Sequence, residues 1–225
     1  MPLVLSGEGL HLGWMQLTIR DIEAALALGP LGARSDFDLN PHVEDDAPYR
    51  CVHRHAAVLC GLRERAGRLH VVLTRRASHL RTHAGQVAFP GGCVDPGDAS
   101  IRHAALREAE EEIGLPPAKV QVLGALDEYI TSSGFHVTPF VGIIAPDFRP
   151  EPDPGEVDLV FEPPLDFLMD PANQQRHHLM RDGKRLYYYA MPWNGHYIWG
   201  ATAAMLKTLS DRLAARGKLP EPVTS

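Results

Sequence analysis

Between Ala99 and Ile113 the chain runs without a glycine or proline, is dominated by Ala, Leu and Glu, and stops at Gly114 with Pro116 just beyond. Good helix formers closed by a residue that tolerates left-handed backbone predict a helix over 99–113. At about 100° per residue, Ile101, Ala105, Leu106, Ala109 and Ile113 form one apolar stripe that must face a core. Glu108, Glu111 and Glu112 fall on a separate arc, because positions three and four apart are neighbours on a helix surface. Each like-charged pair there opposes the helix by roughly 0.2–0.5 kcal/mol unless a cation lies between the carboxylates. Their oxygens suit a hard divalent ion, Mg²⁺ or Mn²⁺, whereas zinc draws more often on His and Cys. Taken alone, the run also reads as a solvated acidic face.

The remaining chain alternates strands with few helices. Residues 14–29 have helical spacing and end at Gly29-Pro30, while 32–49 turn to Asp, Pro, Asn and Gly and read as a connecting arm on the surface. Two Val/Leu-rich runs, 55–62 and 68–74, flank Arg65-Ala66-Gly67 as a hairpin. Strands follow at 120–129 and 135–144, then a short helix from Pro163 to Leu168. A second hairpin, 175–180 with 185–190, forms around Asp182-Gly183, and a closing helix runs from about Ile198 to Arg216. At 225 residues, one large domain is expected, of α/β class with helices packed on a mixed sheet. The division implied is an N-terminal helix and arm over 1–50, a main domain over 51–216 and a tail over 217–225.

What surrounds the acidic helix is more specific than the helix. The stretch Arg107-Glu108-Ala109-Glu110-Glu111-Glu112-Ile113-Gly114-Leu115 follows a Gly91-Gly92 loop and an Asp-rich turn. This order resembles the Nudix box: Gly, five residues, Glu, seven residues, then Arg-Glu-apolar-x-Glu-Glu-x-Gly-apolar. The second half is matched throughout. In the first half, Arg107 stands one residue further from Gly92 than the pattern has it, and Asp98 takes the place of the first Glu. Such a longer, Asp-containing first half is similar to that of the coenzyme A diphosphatase branch, which carries a second signature upstream. Val72-Leu73-Thr74-Arg75-Arg76-Ala77, then Arg81, Gly85 and Phe89-Pro90-Gly91-Gly92, matches that signature except that Val72 replaces Leu. Residues 134–139, 160–165 and 198–203 also look like that branch, so the resemblance spans roughly 50–210.

The resemblance implies the Nudix fold, an α/β/α sandwich with a mixed sheet and a catalytic loop-helix-loop. It implies that Glu108, Glu111 and Glu112 hold Mg²⁺ or Mn²⁺. One of them, or a carboxylate from another loop, acts as general base, and Arg107 orients a box carboxylate. Gly91 and Gly92 shape the loop beside the metal site. Arg76 and Arg81, otherwise two solvated arginines, become phosphate contacts, with Arg81 directed to the 3′-phosphate or diphosphate of coenzyme A, since Arg suits bidentate phosphate recognition. The reaction implied is cleavage of coenzyme A or acyl-coenzyme A to a 4′-phosphopantetheine and adenosine 3′,5′-bisphosphate. The alternatives are ADP-ribose, NADH or dinucleoside polyphosphates as substrate and, in a different class, a module that senses nucleotides without cleaving them.

Composition limits the rest. A formal charge of −6 opposes phosphate-coating nucleic-acid binding, so a small-molecule substrate is expected and nucleic acid is not. Cys51, Cys60 and Cys93 form no disulfide framework, no basic n-region opens the chain, and no apolar run approaches bilayer-spanning length, so a cytoplasmic location without membrane attachment is expected. Homodimerisation is compatible with the family resemblance. His53/His55, His79/His83 and His177/His178 lack a zinc pattern and read as structural or surface residues, and Cys93 as a bystander thiol. Tyr187, Tyr188, Tyr189, Trp193 and Trp199 read as core, interface or stacking surface.

Overall fold

The computed structural model describes residues 16–29, 31–43, 54–181 and 183–217. Residues 14 and 15 of the leading helix, the second half of the arm, Cys51, His53, Asp182 and the tail beyond 217 lie outside these. The described chain opens with α1 (Ile19–Leu26) and β1 (Arg34–Ser35). Then come β2 (Arg54–Arg65), β3 (Arg68–Val71), β4 (Leu73–Arg76), β5 (Val87–Ala88), β6 (Gly91–Cys93) and α2 (Ile101–Ile113). After α2 follow β7 (Val120–Ala125), β8 (Tyr129–Ile130), β9 (Phe135–Ile144), β10 (Val157–Phe161) and α3 (Leu165–Met169). The last elements are β11 (Gln175–Arg181), β12 (Lys184–Trp193), β13 (His196–Trp199) and α4 (Gly200–Ala215).

A mixed sheet is organised on β2 and β9, which run parallel from Arg54↔Phe135 to Leu62↔Ile143. β3 and β6 pair antiparallel with β2, β7 and β8 antiparallel with β9, and β1 parallel with β8. Two three-stranded sheets, β10-β4-β5 and β11-β12-β13, complete the α/β architecture. The expected strand 68–74 breaks at Val72, where the chain leaves the large sheet for the second one. β13 was not anticipated: Ile198 pairs with Met191, so the closing helix begins only at Gly200.

Burial explains the layering. The larger core joins Leu62, Leu73, Val87, Phe161, Met191 and Ile198 to α4 through Leu206 and Leu209. A second core lies beneath α2, where Ala109, Ile113 and Leu115 meet Leu59, Val72, Ile144 and Phe148. At its N-terminal half α2 presents Ala104 and Ala105 to Ala57, small residues that let the helix lie close on β2. Ser100 caps α2, its Oγ accepting from the His103 N–H at 3.1 Å, and Gly114 closes it with φ +66°. The helix therefore starts two residues later than expected, and Ile101 in its first turn is 37% exposed, not part of the buried stripe.

The arm is more tightly held than a surface connection. Asn40 is buried and clamps the backbone of Tyr187, its Nδ2 donating to the carbonyl at 2.8 Å and its Oδ1 accepting from the amide at 2.7 Å. Thr18 and Asp21 form a capping box on α1. The other end of α1 has no basic residue of its own in the last turn, and Arg212 of α4 supplies the cation, donating to the Ala25 carbonyl. The same Arg212 meets Asp127 at 2.9 Å with both side chains almost fully buried, and Asp127 also accepts from the Leu31 amide at 2.6 Å. No helix among the described residues is long and apolar enough to cross a membrane.

Candidate active site

Three elements bring the sequence-predicted residues together. β6 pairs with the N-terminal half of β2, which fixes Gly91 and Gly92 under α2. β4, in the sheet next to it, carries Arg76. Gly91 has φ +154°, and a Cβ there would stand 2.6 Å from the Val58 Cα, so a side chain is excluded by backbone. A Cβ on Gly92 would stand 2.5 Å from the Glu108 carboxyl carbon. Glycine at 92 is thus the space that the Glu108 carboxylate occupies.

Glu112 lies deepest, its side chain 4% exposed. Its Oε2 accepts the Gly91 N–H at 3.2 Å, and its Oε1 stands 3.7 Å from Arg76 Nη1. Burial pushes the carboxyl up to about 8; the Gly91 N–H and Arg76 act against this, while Glu108 and Glu156 add to it. Glu108 is also raised, first by desolvation and further by Glu111 and Glu156, with Arg107 opposing. Glu156, exposed just before β10, therefore faces both carboxylates. Sequence reasoning missed it, allowing only for a carboxylate from an unnamed loop. Its single signal is that it immediately precedes the strand that pairs with β4.

Glu111 is placed differently. Its side chain is 54% exposed and is held by Arg107 Nη1 at 2.7 Å. Arg107 forms the hub on this side. Its Nε and Nη2 reach the two Asp98 oxygens at 3.0 and 3.1 Å, and Nη2 also donates to the Cys93 carbonyl and lies 3.1 Å from Glu108. The Arg107 hydrogen bonds hold the Asp98 carboxyl well below the usual carboxylate range, with the Asp95 amide and His103 contributing. Asp98, at the first acidic position of the box, is thus a partner of the arginine.

Among the described residues no three His, Cys, Asp or Glu side chains converge as a ready metal cage. The donors present nevertheless fit a hard divalent ion. Glu108 and Glu112 are desolvated, repel one another and are repelled by Glu156, and Mg²⁺ commonly takes only one or two carboxylates with phosphate and water as its other ligands. Arg76 supports an anion nearby, since its Nε is buried without a hydrogen-bond partner among the described residues. Arg81 stands exposed on the β4–β5 loop, and among the described residues it forms no ion pair. Cys93 is half-buried and contributes its carbonyl, not its thiol.

The NUDIX domain profile matches residues 53–182, more than half of the chain. The chain belongs to the Nudix family. Among its relatives, the protein named Uncharacterized Nudix hydrolase NudL of Escherichia coli O1:K1 / APEC is 41% identical over 164 residues, covering 73% of this chain and 85% of the relative. Among solved structures, the MutT protein from Methanosarcina mazei Go1 is 18% identical, with a TM-score of 0.47 over 75% of this chain and 98% of that one. A NUDIX hydrolase from Alicyclobacillus acidocaldarius is 21% identical, with a TM-score of 0.46 over 53% and 82%. Membership makes this Nudix protein a hydrolase that acts on pyrophosphate bonds of small molecules. Nudix hydrolases generally use divalent metal ions, which accords with the carboxylates around Gly91 and Gly92.

Proposed function

We propose that this Nudix hydrolase cleaves the diphosphate of coenzyme A or its acyl esters, giving a 4′-phosphopantetheine and adenosine 3′,5′-bisphosphate. The observation that carries the reading is the meeting of Arg76 with Glu112. The upstream signature of the coenzyme A branch and the box are separate in sequence, yet β4 and α2 bring their arginine and deepest carboxylate within 3.7 Å. The catalytic unit is residues 51–216, flanked by 1–50 and 217–225, working as a cytoplasmic enzyme with a small-molecule substrate.

Glu108 and Glu112, with Glu111 at the outer edge, are the groups for Mg²⁺ or Mn²⁺. When bound, that ion neutralises diphosphate charge and lowers the pKa of water. Gly91 holds Glu112 Oε2 through its N–H, and Gly92 leaves room for Glu108. Arg107 positions Glu108 and Glu111 while Asp98 anchors it. Arg76, with its unpartnered Nε, meets a diphosphate oxygen, and Arg81 closes on the 3′-phosphate from its exposed loop. A carboxylate of Glu108, Glu111 or Glu156 accepts the proton of the attacking water as one P–O–P bond breaks.

Mass-resolved products from coenzyme A with Mg²⁺ or Mn²⁺ test the reading, using wild type and a Glu111→Gln/Glu112→Gln variant. Phosphopantetheine and adenosine 3′,5′-bisphosphate from wild type alone are expected. Turnover of ADP-ribose, NADH or dinucleoside polyphosphates in place of coenzyme A would overturn the substrate; no turnover of any would favour a nucleotide-sensing module.

A further inference from the structure

Opposite Arg76, at the end of the β4–β5 loop, stands Gln86. Thr74 pairs with Ala88 and Arg75 with Val87, so the ladder continues to Arg76 and Gln86. Val87 belongs to the larger core, and its two neighbours Gln86 and Ala88 turn to the other face. That face lies beneath α2: Val160, which also pairs with Thr74, packs there, and Arg76 reaches Glu112 from it. The pairing at Arg76 is irregular. Its N–H donates to the Gln86 carbonyl at 2.9 Å, while its carbonyl accepts from the Gly85 N–H at 3.1 Å. Two residues thus oppose one, with Gly85 left-handed at φ +71°, which is the pattern of a glycine bulge. A bulge re-aims the side chain beside it, and here that side chain is Gln86.

Gln86 is half-buried and held twice by one residue. Its N–H closes a turn on the His83 carbonyl at 3.1 Å, and its side-chain Oε1 accepts from His83 Nδ1 at 2.9 Å. His83 makes both contacts from left-handed backbone, φ +57°, which a residue with a β-carbon adopts only at a cost. Strain of this kind is characteristic of ligand clamps, where the surroundings hold it in place. With its oxygen engaged, the amide presents its nitrogen at the other end. Gln86 Nε2 carries two N–H groups, and among the described residues neither makes a hydrogen bond.

We infer that Gln86 Nε2 is a second donor to the substrate's diphosphate, beside Arg76, and that His83 is the positioning residue that keeps this amide turned toward the anion. The assignment rests on the diphosphatase reading of the carboxylate site and names a contact within it. A flipped amide would set Oε1 against a phosphate oxygen and Nε2 against the His83 Nδ1–H, acceptor on acceptor and donor on donor. The His83 ring therefore selects the one orientation that an anion rewards. Neither residue holds a fixed position of the upstream signature: both fall in the variable spacings on either side of Gly85.

The test titrates methylenediphosphonate, a diphosphate whose bridge water does not cleave, calorimetrically into the full chain in saturating Mg²⁺. Gln86→Leu removes a hydrogen bond to a charged ligand and should weaken binding roughly tenfold. His83→Gly relieves the left-handed strain while deleting the ring, and should weaken binding roughly fivefold; His83→Asn, whose Nδ2 stands in for Nδ1, should restore most of it. Because His83 acts through the amide, the His83→Gly/Gln86→Leu double variant should bind no worse than Gln86→Leu alone. In wild type, the Gln86 side-chain N–H resonances, assigned by their loss in Gln86→Glu, should shift with the probe. This second readout decides the matter should Gln86→Leu fail to fold. Unmoved resonances, unchanged affinity in a folded Gln86→Leu protein, or a wild type that does not bind the probe would overturn the Gln86 contact, and additive losses in the double variant would overturn the role of His83. No readout requires turnover, so failure of the diphosphatase reading is seen separately, in the product assay.

Discussion

Replacing Glu112 with Gln should stabilise the metal-free protein in alkali while abolishing its activity. Burial raises the Glu112 carboxyl from 4.5 to about 8. Below pH 4.5 folded and unfolded chains both hold the proton. Between 4.5 and 8 the unfolded chain releases it and the folded chain keeps it, so stability falls as pH rises and levels off above 8. At about 1.4 kcal/mol per pH unit the loss has a ceiling of about 5 kcal/mol. Glu108, raised in the same direction, adds to it. Urea unfolding in chelator from pH 5 to 9 measures the effect. Wild type should lose several kcal/mol across that window, Glu112→Gln should lose much less, and millimolar Mg²⁺ should recover the alkaline loss in wild type alone. Parallel pH curves for the two proteins would refute the account of Glu112 as a carboxylate buried in want of a cation.

Gly92→Ala should lower kcat at least tenfold with little change in Tm, because its Cβ displaces the Glu108 carboxylate; steady-state kinetics beside thermal melts check this. Asp98→Asn removes the charged partner from two Arg107 N–H groups and should reduce kcat about tenfold with KM nearly unchanged. Arg81→Ala should cost more on coenzyme A than on its dephosphorylated analogue, measured as kcat/KM; equal losses would remove the 3′-phosphate role. Arg212→Met, which leaves Asp127 buried without its partner, should destabilise the fold by about 3–5 kcal/mol in urea titration.

The sequence made the local features readable. The glycine-free run and Gly114 mark α2, though the Ser100 cap that sets its start went unread, and the hairpins at Ala66-Gly67 and Gly183 follow from turn chemistry. It also showed that Glu108, Glu111 and Glu112 share an arc. It could not show that Arg107 draws Glu111 outward while Glu112 sinks to 4% exposure, since that depends on how closely Ala104 and Ala105 seat the helix on β2. Glu156 escaped notice because only the β10–β4 pairing places it opposite the helix. β1 and β13 are too short to carry a periodic pattern and exist through partners distant in sequence.

The profile shared with the family ends at 182, within the β11–β12 turn. The part of the chain that folds together is longer. A fragment cut to the shared span would lose α1, β12, β13 and α4, and with them Met191, Ile198, Leu206, Leu209 and the Arg212 side of the buried pair with Asp127. Leu73, Val87 and Phe161 would then face water behind the strand that holds Arg76. In this chain the span that the family profile covers and the span that shares one core are different: the first holds the acidic helix, and the second extends from the capping box at Thr18 to the last turn of α4.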